Sequence, residues 1–124
     1  MGTDPETLRQ PILRAARDFN AGRYFEAHEV LEESLDEVPD EWWPLFLGLI
    51  QIAVGYHKLA SGFDGAARML DIGLAKLTPF AGDALGLGLA ALRARAQRDR
   101  DALRAGTDVA VDLQRDPPRL LPAR

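Results

Sequence analysis

The residues of this chain best placed to do chemistry sit in one charged segment, Tyr24-Phe25-Glu26-Ala27-His28-Glu29-Val30-Leu31-Glu32-Glu33-Ser34-Leu35-Asp36-Glu37. At about 100° per residue, Tyr24, Ala27, Leu31, Leu35 and Val38 share one side of a helix, and Glu26, Glu33 and Glu37 lie opposite in water. His28 falls at the edge of the apolar stripe. Glu32 follows one turn later at i+4, where the two side chains can meet. Glu29 is a further step round toward solvent. The chain has one other histidine, His57, at the end of an apolar run in which Gln51 and Tyr56 are the only residues from Leu45 to Tyr56 with polar side chains. A glutamine in such a run is costly unless its amide finds partners.

Two readings of these residues stand side by side. In the first, His28, Glu32, Gln51 and His57 form a polar network that sets how two helices pack. In the second, His28 beside Glu29 and Glu32 acts as a general acid or base near neutral pH, or holds a divalent metal with Glu29, Glu32 and His57. The metal motifs are incomplete. A zincin needs a second histidine four residues after the first, and Glu32 occupies that place. A carboxylate-bridged di-iron bundle needs Glu-x-x-His on each of two helices, and neither histidine has one.

The elements that must position these groups are helices. Asp4-Pro5 reads as an N-cap and a first-turn proline, with Pro11 able to serve as a second start. That helix runs to about Asn20 with Ile12, Leu13, Ala16 and Phe19 as its stripe, and Gly22 stops it. A second helix covers about Phe25 to Val38, closed by Pro39-Asp40. A third starts near Glu41 or Trp43, tolerates Pro44 in its first turn and runs to about Ala60. A fourth covers about Asp64 to Leu77, and a fifth about Asp83 to Ala105. In the last stretch Val109, Val111 and Leu113 alternate with Ala110, Asp112 and Gln114, a weak strand signal. With Pro117, Pro118 and Pro122 nearby, an extended tail across the helices is expected. The organisation is therefore one helical domain over residues 1–106, and residues 107–124 as an extended C-terminal tail, packed on the domain or partly mobile.

Gly22-Arg23-Tyr24-Phe25-Glu26-Ala27 and Gly62-Phe63-Asp64-Gly65-Ala66-Ala67 echo each other 40 residues apart. Each places a glycine five residues before an alanine at a helix–turn–helix junction, where glycine permits the left-handed turn and alanine a close approach. The pattern resembles the turn of tetratricopeptide hairpins, in two copies only. The fold expected is all-α, a compact array of about five helices with two such hairpins.

Phe19-Asn20-Ala21-Gly22-Arg23-Tyr24-Phe25-Glu26-Ala27-His28-Glu29-Val30-Leu31-Glu32 resembles the signature of the family known as domain of unknown function 309. Gly48-Leu49-Ile50-Gln51 and Tyr56-His57-Lys58-Leu59 ahead of Gly62 resemble its second block. The likeness covers about Pro11 to Leu77. It implies a compact all-α array and implies no activity. Carried across, its signature positions are His28, Glu29, Glu32, Gln51 and His57, with one departure at Leu35, where the family usually has tryptophan.

Bulk properties narrow the classes. The 124 residues suffice for one domain, and 47% hydrophobic with 27% charged residues is a globular balance. A net charge of −4 supplies no overall basic field for nucleic acid or an anionic membrane. The absence of cysteine removes disulfides, thiolate metal sites and cysteine nucleophiles. Trp42 to Tyr56, the most apolar stretch, falls short of the roughly 20 residues that span a bilayer. Met1 to Gln10 is polar and contains Asp4 and Glu6, unlike a signal peptide, so the cytoplasm is the expected location. Gly86-Leu87-Gly88-Leu89-Ala90-Ala91 matches a dinucleotide-loop spacing without the strand that chemistry requires. Arg93, Arg100 and Arg104 beside the Leu85, Leu89, Leu92 and Leu103 stripe, diluted by Asp99 and Asp101, read as a solvated face. Trp42-Trp43 reads as core plus rim. The expected function is a scaffold or protein-interaction module with a homo-oligomeric or other protein partner. The alternative is a metal-binding protein or small hydrolase-type enzyme that uses His28 and the carboxylates beside it.

Overall fold

A computed structural model of the chain describes residues 4–123, so the outermost residues of the expected boundaries, 1–3 and 124, lie outside the described residues. The described residues form six α-helices: α1 (Pro5–Asn20), α2 (Tyr24–Ser34), α3 (Trp43–Ser61), α4 (Ala66–Leu77), α5 (Leu89–Arg104) and α6 (Ala110–Arg115). No strand occurs among the described residues, only one isolated antiparallel bridge between Leu87 and Pro122. None of the described helices is long and apolar enough to cross a membrane.

Each of the first four helices packs on the next, α6 touches α3, and α3 lies in the middle with α2 on one side and α4 on the other. α3 can take that place because it buries residues all round, from Leu45 and Phe46 through Ile52 and Ala53 to Tyr56. Along α4 the approach is backbone to backbone. A Cβ on Gly48 would lie 2.9 Å from Leu77 Cδ2 and 3.1 Å from the Gly73 carbonyl oxygen, and one on Gly73 would lie 2.8 Å from the Gly48 carbonyl oxygen. The two hairpin turns need glycine for a different reason. Gly22 and Gly62 sit at φ +82° and +72°, a left-handed conformation that L side chains rarely adopt, with open space around both. The sequence echo is therefore a structural one, with one shift. Ala27 is buried in the first hairpin, whereas in the second Ala66, rather than Ala67, is the buried alanine.

α1 begins and ends where expected, and several other element ends differ. Asp4 caps α1 by accepting the Glu6 N–H at 3.0 Å, and the helix runs unbroken past Pro11. The continuous face Leu8, Ile12, Ala15, Ala16 and Phe19 holds it together across the missing donor. α2 stops at Ser34, and two 3-10 turns, Leu35–Glu37 and Asp40–Trp42, carry the chain round Pro39. α5 starts at Leu89 rather than near Asp83, because Gly86 (φ +68°) and Gly88 keep the preceding segment out of the helix. Leu87 is extended there and fully buried.

The arginines of α5 are only partly a solvated face: Arg104 is about half in water, whereas Arg93 and Arg100 are largely covered. Arg93 donates to the carbonyl oxygens of Leu77 (2.6 Å) and Phe80 at the end of α4, while Arg100 and Arg104 both pair with Asp71 at 2.9 and 3.2 Å. Trp42 stacks on Phe80 at 5.8 Å, and Trp43 donates its indole N–H to the Val38 carbonyl at 2.8 Å. The tail is not extended throughout. Ala110–Arg115 is helical, with Val109 and Leu113 buried one turn apart and Val111 exposed. The Asp108 carboxylate accepts the Ala110 N–H at 3.0 Å and starts that turn. With no strand to pair with, the alternation of Val109, Val111 and Leu113 has no ladder to join, and the i,i+4 pair prevails. Residues 116–123 then leave the helix at a bend at Asp116 and run against the helical body, bridged to Leu87 at Pro122.

Candidate functional site

The start of α2 and the end of α3 meet beside the two glycine turns, and there both histidines come to the surface around a phenylalanine. The Phe25 ring stands edge-on to His28 (centroids 4.7 Å, 68°) and tilted on His57 (5.2 Å, 59°). Phe63, just past the Gly62 turn, meets the edge of His57 at 6.1 Å. The result is a row His28–Phe25–His57–Phe63 in which the phenylalanines are 46% and 59% exposed. His28 is held from one side: its Nδ1 donates to the Phe25 carbonyl oxygen, which fixes the tautomer because a carbonyl can only accept. Its Nε2 lies 3.7 Å from Glu32 Oε2, beyond hydrogen-bond reach, and Glu32 is mostly in water.

The other expected members stand apart. Glu29 is exposed on the outer side of α2. Gln51 precedes His57 by six positions, about 120° away round α3, between Gly48 and Gly55, which face α4. Its side-chain oxygen is buried with no hydrogen-bond partner among the described residues. The structure thus brings His28, Glu32 and His57 to one region through Phe25, and turns Gln51 toward the opposite flank. No group of three or more His, Asp or Glu side chains among the described residues is placed to hold a metal ion. Neither the apolar cavity inside the helices nor a surface cleft of about 720 Å³ is lined by His28, Glu29, Glu32 or His57.

The strongest polar cluster lies elsewhere. Tyr56, fully buried on α3, donates its hydroxyl to Asp99 Oδ2 of α5 at 2.6 Å, and Arg95 Nε donates to the same oxygen at 2.9 Å. Asp99 is 2% exposed. Arg95 continues outward to the Asp116 carbonyl and, at 3.6 Å, to the Asp116 carboxylate. Burial, and then the charge and hydrogen bond of Asp99, push the Tyr56 phenol well above the ordinary tyrosine range. Burial also raises Tyr24, against the opposing pull of Arg95 and with a smaller push from Asp99. Tyr24 and Tyr56 pack 5.7 Å apart with Phe19 edge-on to both. Tyr56 is sealed in the core, while Arg95 reaches the cleft beside the C-terminal segment, so the cluster joins α3, α5 and that segment. The signal for it was present in the sequence. Asp99 continues the spacing Leu89, Leu92, Ala96, Asp99, Leu103, a core position on α5, and Arg95 stands four residues before it.

Residues 12–70 match the sequence model of the family described as Domain of unknown function (DUF309). α1 from Ile12, all of α2 and α3, and the start of α4 carry the domain, as the two signature blocks imply. Comparison with curated proteins and with solved structures finds no match.

Proposed function

We propose that this helical domain is a protein-interaction module that works through the His28–Phe25–His57–Phe63 face, with a second copy of the chain as its partner. One observation carries the reading. Two phenylalanines stand in water in contact with both histidines of the chain, although aromatic rings contribute most to folding when buried. Rings and imidazoles alternate along the row, so a two-fold axis can lay the patch on itself, ring against imidazole. The Tyr56–Asp99–Arg95 cluster supports this role from below, because it sets the position of α3, whose last turns present His57 and lead into Phe63.

Sedimentation of the wild type and of a Phe25→Ser/Phe63→Ser variant tests the proposal. The expected result is reversible self-association of the wild type, lost in a variant that melts at nearly the same temperature. A wild type that stays monomeric into the high micromolar range, or a variant that associates equally well, refutes it. The metal-binding and hydrolase alternatives have one imidazole–carboxylate pair in their favour and, among the described residues, no third ligand grouped with it. Elemental analysis of untagged protein purified without chelator decides them: near-stoichiometric metal that disappears in His28→Ala would displace the interaction reading.

A further inference from the structure

The C-terminal segment is seated in the helical body the way a bound peptide is. Asn20, the last residue of α1, pairs with both main-chain groups of Leu120: the Leu120 N–H donates to Asn20 Oδ1 at 2.8 Å, and Asn20 Nδ2 donates to the Leu120 carbonyl at 3.1 Å. On the α5 side the Gly88 N–H donates to the Leu121 carbonyl at 2.7 Å, and the Ala123 N–H donates to the Gly86 carbonyl at 2.8 Å, around the Leu87–Pro122 bridge. Side chains alternate from Pro118 to Leu121: Pro118 and Leu120 are buried, Arg119 and Leu121 exposed, and Pro122 is exposed as well. Main-chain pairing along an extended strand, with pockets for alternate side chains, is the logic of peptide recognition by strand addition.

The Leu120 pocket is built for an apolar anchor. Leu120 closes an internal cavity lined by Ile12, Ala16, Leu31, Ile52 and Leu92 among others, all apolar, with about 20 Å³ still empty beneath it. Gly88 keeps the opposite wall open, since a Cβ there would lie 2.9 Å from the Leu121 carbonyl oxygen. A cleft of about 720 Å³ runs beside the segment between α5 and residues 116–123. Asn20 and most of the cavity walls fall within residues 12–70, the stretch matched by the family model, whereas the seated segment lies beyond it. The segment is held by a handful of hydrogen bonds and two buried side chains, against the conformational entropy of ordering eight residues, so local opening is within thermal reach.

We infer that this groove is a docking site for an extended partner segment of the pattern Pro-x-Leu, occupied in cis by Pro118-Arg119-Leu120 and the residues that follow. The partner displaces the tail, inserts its leucine beside Leu92, and pairs its main chain with Asn20, Gly86 and Gly88. This goes beyond the aromatic face proposed above and rests on different residues.

The test uses the full chain and a fluorescein-labelled synthetic peptide with the sequence of residues 116–123, read by fluorescence anisotropy. Leu120→Asp removes the anchor in cis while leaving the groove, and is expected to bind the peptide at least tenfold more tightly than the wild type. Adding Asn20→Ala to that variant is expected to remove at least a tenfold share of the binding. Equal affinities for wild type and Leu120→Asp, or a folded Leu120→Asp chain that does not bind, overturn the inference. Amide hydrogen exchange on the wild type decides it independently if Leu120→Asp does not fold. The Leu120 and Ala123 amides should exchange at least a hundredfold faster than Ile52 in α3, and exchange only at the global unfolding rate overturns the inference. A wild-type dimer that persists in Phe25→Ser/Phe63→Ser and is dissociated by the peptide would mean that two copies exchange tails, which overturns the assignment to a separate partner.

Discussion

Removing the Asp99 carboxylate tests what holds α3 to α5. In Asp99→Ala the Tyr56 hydroxyl is left in a fully buried site without an acceptor, at a cost of about 1–3 kcal/mol. Arg95, 13% exposed, loses the partner of its Nε and keeps only Asp116. Arg98 is half in water and its loss adds little. Breaking a buried pair from one side costs about 3–5 kcal/mol in total, out of a stability of roughly 5–15 kcal/mol for a domain of this size. Tyr56→Phe is gentler. It forfeits a charge-assisted bond, about 1.5–3 kcal/mol, but leaves Asp99 paired with Arg95. Because the two groups share one hydrogen bond, the double variant should be less destabilised than the sum of the singles by about 1.5–3 kcal/mol. Urea unfolding followed by circular dichroism measures all four proteins, and unchanged denaturant slopes would show that the unfolded state is not the cause. Additivity within about 0.5 kcal/mol, or an Asp99→Ala loss below about 1 kcal/mol, would refute the claim that this cluster pins the two helices.

The same geometry sets three further outcomes. Because the Tyr56 phenol is raised in the folded state, its contribution is fully present below the unfolded pKa near 10 and is lost as pH rises toward the folded value. Above pH 10, therefore, the wild type should lose about 1.4 kcal/mol per pH unit from this group, and the gap to Tyr56→Phe should narrow between pH 10 and 11.5 in urea titrations. Gly48→Ala pushes a Cβ against Leu77 and the Gly73 carbonyl, and should lower stability by about 1–3 kcal/mol in thermal or urea melts. His28→Ala removes the bond to the Phe25 carbonyl and a contact with a largely exposed Glu32, so a loss of about 1 kcal/mol is expected, with Glu32→Gln within about 0.5 kcal/mol of wild type in the same assay.

Local patterns along the chain were sufficient for the helices, their glycine stops and the family of residues 12–70, because periodicity and turn glycines act over a few residues at a time. The same patterns placed His28 at the edge of an apolar stripe with Glu32 one turn away. They misplaced Asp99, since five arginines nearby suggested water while its spacing put it in the core; only the neighbour supplying a buried hydroxyl, Tyr56, decides which signal wins. They also grouped Gln51 with His28, because rotation of α3 about its axis is set by Gly48 meeting Gly73 of α4, a contact between helices that leaves no mark on either helix alone. The tail shows the division most plainly. Three alternating apolar residues suit a strand or a short helix equally, and the prolines say only that the residues around them are extended. That Val109 and Leu113 turn inward together, and that Leu120 closes a cavity walled by α1, α2, α3 and α5, depends on surfaces up to a hundred residues away, and those exist only once the helices have packed.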